Sequence, residues 1–113
     1  MAEEQLQEAD VRIKYFGATW CGPCKTYKPV IKKLEKAGYP IQMYDIDQDP
    51  VLAESYRIMS VPTIKIEVDG KVEETMVGIQ DPDTLLGKFH IYYPKILSEI
   101  SQAEPEKKDE SLG

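Results

Sequence analysis

Histidine and tryptophan each occur once in this chain and cysteine only twice. A closed structural zinc site takes four Cys or His ligands, so one chain offering His90, Cys21 and Cys24 falls short of a metal site. No apolar run approaches the ~20 residues of a membrane-spanning helix. Bases are in deficit, with 14 Lys and Arg against 20 Asp and Glu and a net charge of −6. That balance lacks the basic footprint of non-specific nucleic-acid binding. Met1 to Asp10 carries Glu3, Glu4, Glu8 and Asp10 with no base and no apolar stretch, the reverse of a secretory leader. The expectation is a cytoplasmic chain whose partners include neither nucleic acid nor membrane.

What remains is ordinary globular material. The 113 residues suit one domain able to bury its own core. The pattern divides into a polar lead (1–10), a folded domain (11–102) and an acidic tail (103–113) that lacks a core pattern and reads as disordered. Val11 to Phe16 alternates like a half-buried strand. Trp20 to Pro23 reads as a turn. Cys24 to Ala37 reads as a helix, with Tyr27, Val30, Ile31 and Leu34 at helical spacing, Pro29 bending it and Gly38 stopping it. Ile41 to Ile46 is a second strand, and Val51 to Tyr56 a short helix capped by Asp49-Pro50.

Thr63 to Val68 and Lys71 to Val77 are strands joined at Asp69-Gly70, a strong hairpin signal. A last helix opens at Asp81-Pro82, carries Leu85, Leu86, Phe89, Tyr93, Ile96 and Leu97 on its apolar side, and is broken or kinked at Pro94. The first two strands, joined through a helix, are expected to be parallel and the last two antiparallel, giving a mixed sheet with helices packed on it. Arg12 and Lys14 share one strand face, as do Lys65 and Glu67, so one sheet face is expected to be partly wet.

Smaller signals are weighed and set aside. Asp45, Asp47 and Asp49 alternate, but the glycine and distal glutamate of a calcium loop are missing. Lys25, Lys28, Lys32, Lys33 and Lys36 make a basic helix face that is either simply solvated or a steering surface for acidic partners. His90 reads as a packing or surface residue.

The chemistry concentrates in Trp20-Cys21-Gly22-Pro23-Cys24-Lys25. A Cys-x-x-Cys run between a strand and a helix puts the first sulfur where free backbone N–H groups and the helix dipole stabilise negative charge. The thiolate is the nucleophile. Cys21 can attack a target disulfide, and Cys24, one turn on and more deeply placed, can attack the resulting mixed disulfide and free the reduced target. Lys25 adds a nearby positive charge. The competing readings are a structural disulfide, half of a metal site, or two unrelated core cysteines. A disulfide closing so short a loop stabilises little.

These residues resemble the active-site signature of the thioredoxin family. Pro29 matches that family's helix proline, Val61-Pro62-Thr63 its cis-proline loop, Asp69-Gly70 its hairpin and Gly78 the glycine after its last strand. The resemblance covers about Val11 to Leu86. It implies an α/β, thioredoxin-like fold with a mixed sheet of about four strands flanked by helices. Only ten polar residues precede the Val11 strand, so the first strand and helix of the full fold are expected to be missing, although Glu4, Leu6, Gln7 and Ala9 leave room for a short helix.

The resemblance also implies a protein-disulfide reductase, a dithiol electron carrier with no bound cofactor. Cys21 is the implied nucleophile and Cys24 the resolving thiol. Trp20, Gly22, Pro23, Val61, Pro62 and Gly78 form the implied collar for a target peptide, which pairs with the Val61 backbone in strand fashion. Oxidised proteins are the implied substrates, ribonucleotide reductase among them, with a thioredoxin-reductase-type enzyme recharging a monomeric carrier. The alternatives are a disulfide oxidase or isomerase, which the Gly22-Pro23 pair disfavours, and a thioredoxin-like binding subunit of a larger assembly.

One departure bears on mechanism. The family's buried aspartate, six residues before the first cysteine, is here Tyr15, and the lysine that partners it from the neighbouring strand is here Met43. A tyrosine, with an unperturbed pKa of ~10, is no base at neutral pH. The proton of Cys24 therefore goes to water, to the leaving thiolate or through a Tyr15 hydroxyl relay; otherwise Tyr15 simply fills core volume.

Overall fold

The computed structural model describes residues 10–92. The lead before Asp10, Tyr93, Pro94, Ile96, Leu97 and the acidic tail lie outside the described residues. Strand β1 (Val11–Gly17) is followed by α1 (Gly22–Lys36), β2 (Ile41–Asp45), α2 (Pro50–Ser55), β3 (Thr63–Val68), β4 (Lys71–Val77) and α3 (Pro82–Tyr92). The four strands form one sheet in the order β2-β1-β3-β4. β1 runs parallel to β2, with Tyr15 opposite Met43. It runs antiparallel to β3, with Tyr15 opposite Ile64. The β3–β4 hairpin is antiparallel. This is the mixed four-strand sheet flanked by helices that the residue pattern implied.

One sheet face is the core. Alternation along β1 sends Val11, Ile13 and Tyr15 to the same side as Ile64 and Ile66 of β3. Tyr27 and Ile31 of α1 and Leu85 and Phe89 of α3 pack onto them, and all four are almost fully buried. The Tyr15 and Tyr27 rings meet edge to face at 6.0 Å.

The opposite face is polar, as the strand pattern anticipated, but its groups are paired. Lys14 Nζ stands 3.5 Å from Glu67 Oε1 and 5.6 and 5.7 Å from the ring centroids of Tyr44 and Tyr56. The Tyr56 hydroxyl donates to Glu67 Oε2 at 2.5 Å, and Phe16 stacks on Tyr44 at 5.3 Å. Partial burial opposes the charge on Lys14, yet Glu67, with Tyr56 and Tyr44, outweighs it and raises the lysine pKa.

Two local outcomes need a physical reason. Helix α1 begins at Gly22, with Cys21 as its N-cap, earlier than the apolar spacing indicated. Gly22 and Pro23 carry no periodic signal, but proline suits a first turn because its missing N–H would have no helical partner there. Pro29 lies inside α1 without ending it. At the hairpin, Asp69 (φ 52°) and Gly70 (φ 84°) are both left-handed, which is what a two-residue turn matching the strand twist requires.

Candidate active site

Cys21 and Cys24 sit where β1 hands over to α1, and they are joined by a disulfide. The strand ends at Gly17, Ala18 to Trp20 turn the chain, and the Cys21 N–H donates to the Ala18 carbonyl at 3.2 Å. Cys21 then caps the helix through its sulfur: the Cys24 backbone N–H donates to Cys21 Sγ at 3.1 Å. Helix α1 has no acidic residue in its first turn. Negative charge on Cys21 therefore meets a donated N–H and the positive end of the helix dipole, with no carboxylate of that turn opposing it.

The two sulfurs differ less in burial than the spacing suggested. Cys21 is 5% exposed and Cys24 3%. They form a small apolar cluster with Ala18, against which Ile46 and Val61 pack.

Three separate loops converge on the pair. Cys21 Sγ lies 3.7 Å from the Val61 carbonyl oxygen. The Val61–Pro62 bond is cis, and the Thr63 hydroxyl donates to the Ser60 carbonyl at 2.6 Å across that loop. The Gly78 N–H donates to the Pro62 carbonyl at 2.8 Å, tying the end of β4 to the same loop. Trp20, Gly22 and Pro23 are exposed, Val61 and Gly78 half-buried, and Pro62 buried. Of the residues expected to form a collar, Pro62 thus lies beneath, while Val61 and Gly78 reach the surface. Lys25 is exposed on α1 directly after Cys24.

Sequence reasoning missed one contributor. The Trp20 indole N–H donates to Asp47 Oδ2 at 2.7 Å. In the sequence Asp47 figures only in the alternating Asp45, Asp47, Asp49 pattern, which lacks the glycine and glutamate of a calcium loop. No spacing rule links two residues 27 positions apart; the contact exists because β1 and β2 run parallel and end at the same edge. The Asp47 loop is itself shaped by Asp45, whose Oδ1 accepts the Asp47 N–H at 2.8 Å.

Behind the cysteines is a cleft of about 510 Å³, lined by Tyr15, Gly17, Cys24, Lys25, Met43 and Asp45 among others. Tyr15 and Met43, the two departures from the usual buried acid–lysine pair, both line it. Burial, with a lesser contribution from Tyr27, raises the Tyr15 pKa above its ordinary 10.0, so Tyr15 holds its proton at neutral pH.

Comparison with known proteins decides the family. The thioredoxin family model matches residues 2–90. The chain belongs to the thioredoxin family. A Listeria monocytogenes thioredoxin is 38% identical over 85 residues, covering 73% of this chain and 82% of that protein. A Staphylococcus aureus thioredoxin is 39% identical over 82 residues, covering 69% and 78%. The crystal structure of a Nicotiana alata thioredoxin superposes with a TM-score of 0.70 at 28% identity, covering 80% of each chain. The chain is accordingly a thiol–disulfide oxidoreductase, and its Cys21–Cys24 pair is a dithiol redox carrier. Among the described residues no helix is long and apolar enough to cross a membrane.

Proposed function

We propose that the chain reduces protein disulfides through a mixed disulfide on Cys21. Reduced Cys21 attacks one sulfur of the target disulfide, forming a Cys21–target bond and expelling the other target sulfur. Cys24 then attacks Cys21 Sγ, forms the Cys21–Cys24 bond and releases the second target thiol. The observation that carries this assignment is the Cys24 N–H donated to Cys21 Sγ at the N-cap of α1, because it selects Cys21 as the sulfur whose negative charge the helix stabilises. Lys25 adds positive charge on the same turn.

Trp20, Gly22, Pro23, Val61 and Gly78 form the docking collar, with Pro62 holding its shape. The exposed indole of Trp20 supplies apolar contact area, and the Val61 backbone pairs with an extended target segment. Oxidised proteins are the substrates; ribonucleotide reductase belongs to the chemical class that such a carrier serves. A thioredoxin-reductase-type enzyme returns electrons to the pair. The carrier works as a cytoplasmic monomer and needs no bound cofactor, since both redox atoms are its own sulfurs.

Turnover of an insulin-type protein disulfide tests the reading. Wild type is expected to reduce it catalytically and Cys21→Ser to be inactive. Equal inactivity of wild type and variant would favour a thioredoxin-like binding subunit instead.

A further inference from the structure

In the resolving step Cys24 must lose a proton in a place where water has little access. Cys24 is 3% exposed, and it lines a cleft together with Tyr15 and Gly17. Tyr15 is also 3% exposed, and its hydroxyl has no hydrogen-bond partner among the described residues. Gln42 Oε1 is in the same condition, but Gln42 does not line this cleft. A buried hydroxyl without a partner is costly and calls for an explanation, an internal water being a common one. The hydroxyl lies close against the strand end: a Cβ built on Gly17 would stand 2.7 Å from Tyr15 Oη. Any side chain at position 17 would crowd it. The cleft rim carries Lys25, Asp45 and Gln48, polar enough for water to enter.

We propose that Tyr15 is a positioning residue for the resolving step: its hydroxyl holds a water in the cleft beside Cys24, and that water carries the thiol proton away. The water gives one hydrogen to the Tyr15 oxygen as a hydrogen bond and receives the proton of Cys24. The Cys24 sulfur forms its bond to Cys21, the Cys21–target bond breaks, and the departing target sulfur takes up a proton through solvent. Charge and atoms balance, with the target reduced and the pair oxidised. Tyr15 stays protonated throughout and acts as a hydrogen-bond partner, never as the base. The proposal rests on the assignment of Cys21 as nucleophile and Cys24 as resolving thiol.

Rapid-quench mass spectrometry of the full, reduced chain mixed with a disulfide peptide separates formation of the Cys21 adduct from its decay. Tyr15→Phe keeps the ring and the core volume. It is expected to leave adduct formation unchanged and to slow decay about tenfold, less than the roughly 10²–10⁴-fold of a side chain that itself transfers the proton, because Tyr15 only positions the water. The heavy-water effect on decay should change in the variant while that on formation does not. Gly17→Ala, which retains the hydroxyl but displaces it, is expected to slow decay in the same sense. Unchanged decay in Tyr15→Phe, or equal slowing of formation and decay, would overturn the proposal, because a purely structural tyrosine would not act on one step. Absence of any Cys21 adduct in wild type would contradict the underlying cysteine assignment instead, so the two failures are distinguishable.

Discussion

The Trp20 indole N–H donates to Asp47 Oδ2 at 2.7 Å, pinning an exposed aromatic ring beside the redox pair. The bond joins the turn before α1 to the loop after β2, so the collar is held by β1–β2 pairing rather than by sequence neighbours. Both partners lie at the surface, where such a bond contributes only about 0.5–1 kcal/mol to stability. On the proposed function, its larger role is to fix the ring for docking. Asp47→Ala is therefore expected to keep the fold and the chemistry at Cys21 while raising KM for a protein disulfide about 2–5-fold, the equivalent of that bond energy. Trp20 is the single tryptophan, so its fluorescence reports the release directly. An unchanged KM and an unchanged emission spectrum would remove Asp47 from the site.

The β3–β4 turn gives a backbone test. Gly70 sits at φ 84°, where a Cβ costs roughly 1–2 kcal/mol. Gly70→Ala is expected to lower the unfolding free energy by about that amount, measured by urea titration, with disulfide reduction unaffected. Asp69, also left-handed, should tolerate glycine. Its Oδ1 accepts the Asp10 N–H at 2.8 Å, and this bond offsets part of any gain.

Phe89 tests the core. It is fully buried on α3, and its ring meets Tyr39 edge to face at 5.4 Å. Phe89→Ala is expected to cost about 3–5 kcal/mol, and Phe89→Leu distinctly less because most of the volume is kept. Urea midpoints at constant m-value check both.

His90 supplies a pH dependence. Burial lowers its pKa below the ordinary 6.5, and its Nε2 lies 3.2 Å from the Tyr39 hydroxyl. The unfolded chain takes up the proton first as pH falls, so stability is fully present above 6.5 and declines as pH drops toward the lower folded value. Stability of wild type should thus fall relative to His90→Gln on going from pH 7 to pH 5. Parallel curves for the two proteins would show that His90 titrates alike in both states.

Much of this was readable from residue pattern, for identifiable reasons. Strand alternation and Asp69-Gly70 placed β3 and β4 at the bounds the structure shows, because period-two patterns and left-handed turn residues are local signals. Arg12, Lys14, Lys65 and Glu67 announced a polar sheet face. The pairing of Lys14 and Glu67 with Tyr44 and Tyr56 was not legible, since it depends on three strands and the end of α2 meeting. Cys21 and Cys24 were legible as a redox pair from their spacing together with the flanking Trp20, Gly22, Pro23 and Lys25 and the family resemblance these carry. The start of α1 was misplaced because Gly22 and Pro23 look like a turn until Cys21 is seen capping the helix. Asp47 was missed because its role exists only in three dimensions. The burial of Pro62 has the same origin: Gly78 must fold over it before the proline becomes a support.

The division of labour between the two sulfurs is most directly tested by trapping. Reduced Cys24→Ser and Cys21→Ser chains are each mixed with a protein disulfide, quenched by alkylation and mapped by mass spectrometry. Cys24→Ser is expected to accumulate a stable mixed disulfide through Cys21, while Cys21→Ser accumulates little or none. An adduct on Cys24 in the Cys21→Ser chain, forming as fast as the Cys21 adduct in its counterpart, would contradict the assignment.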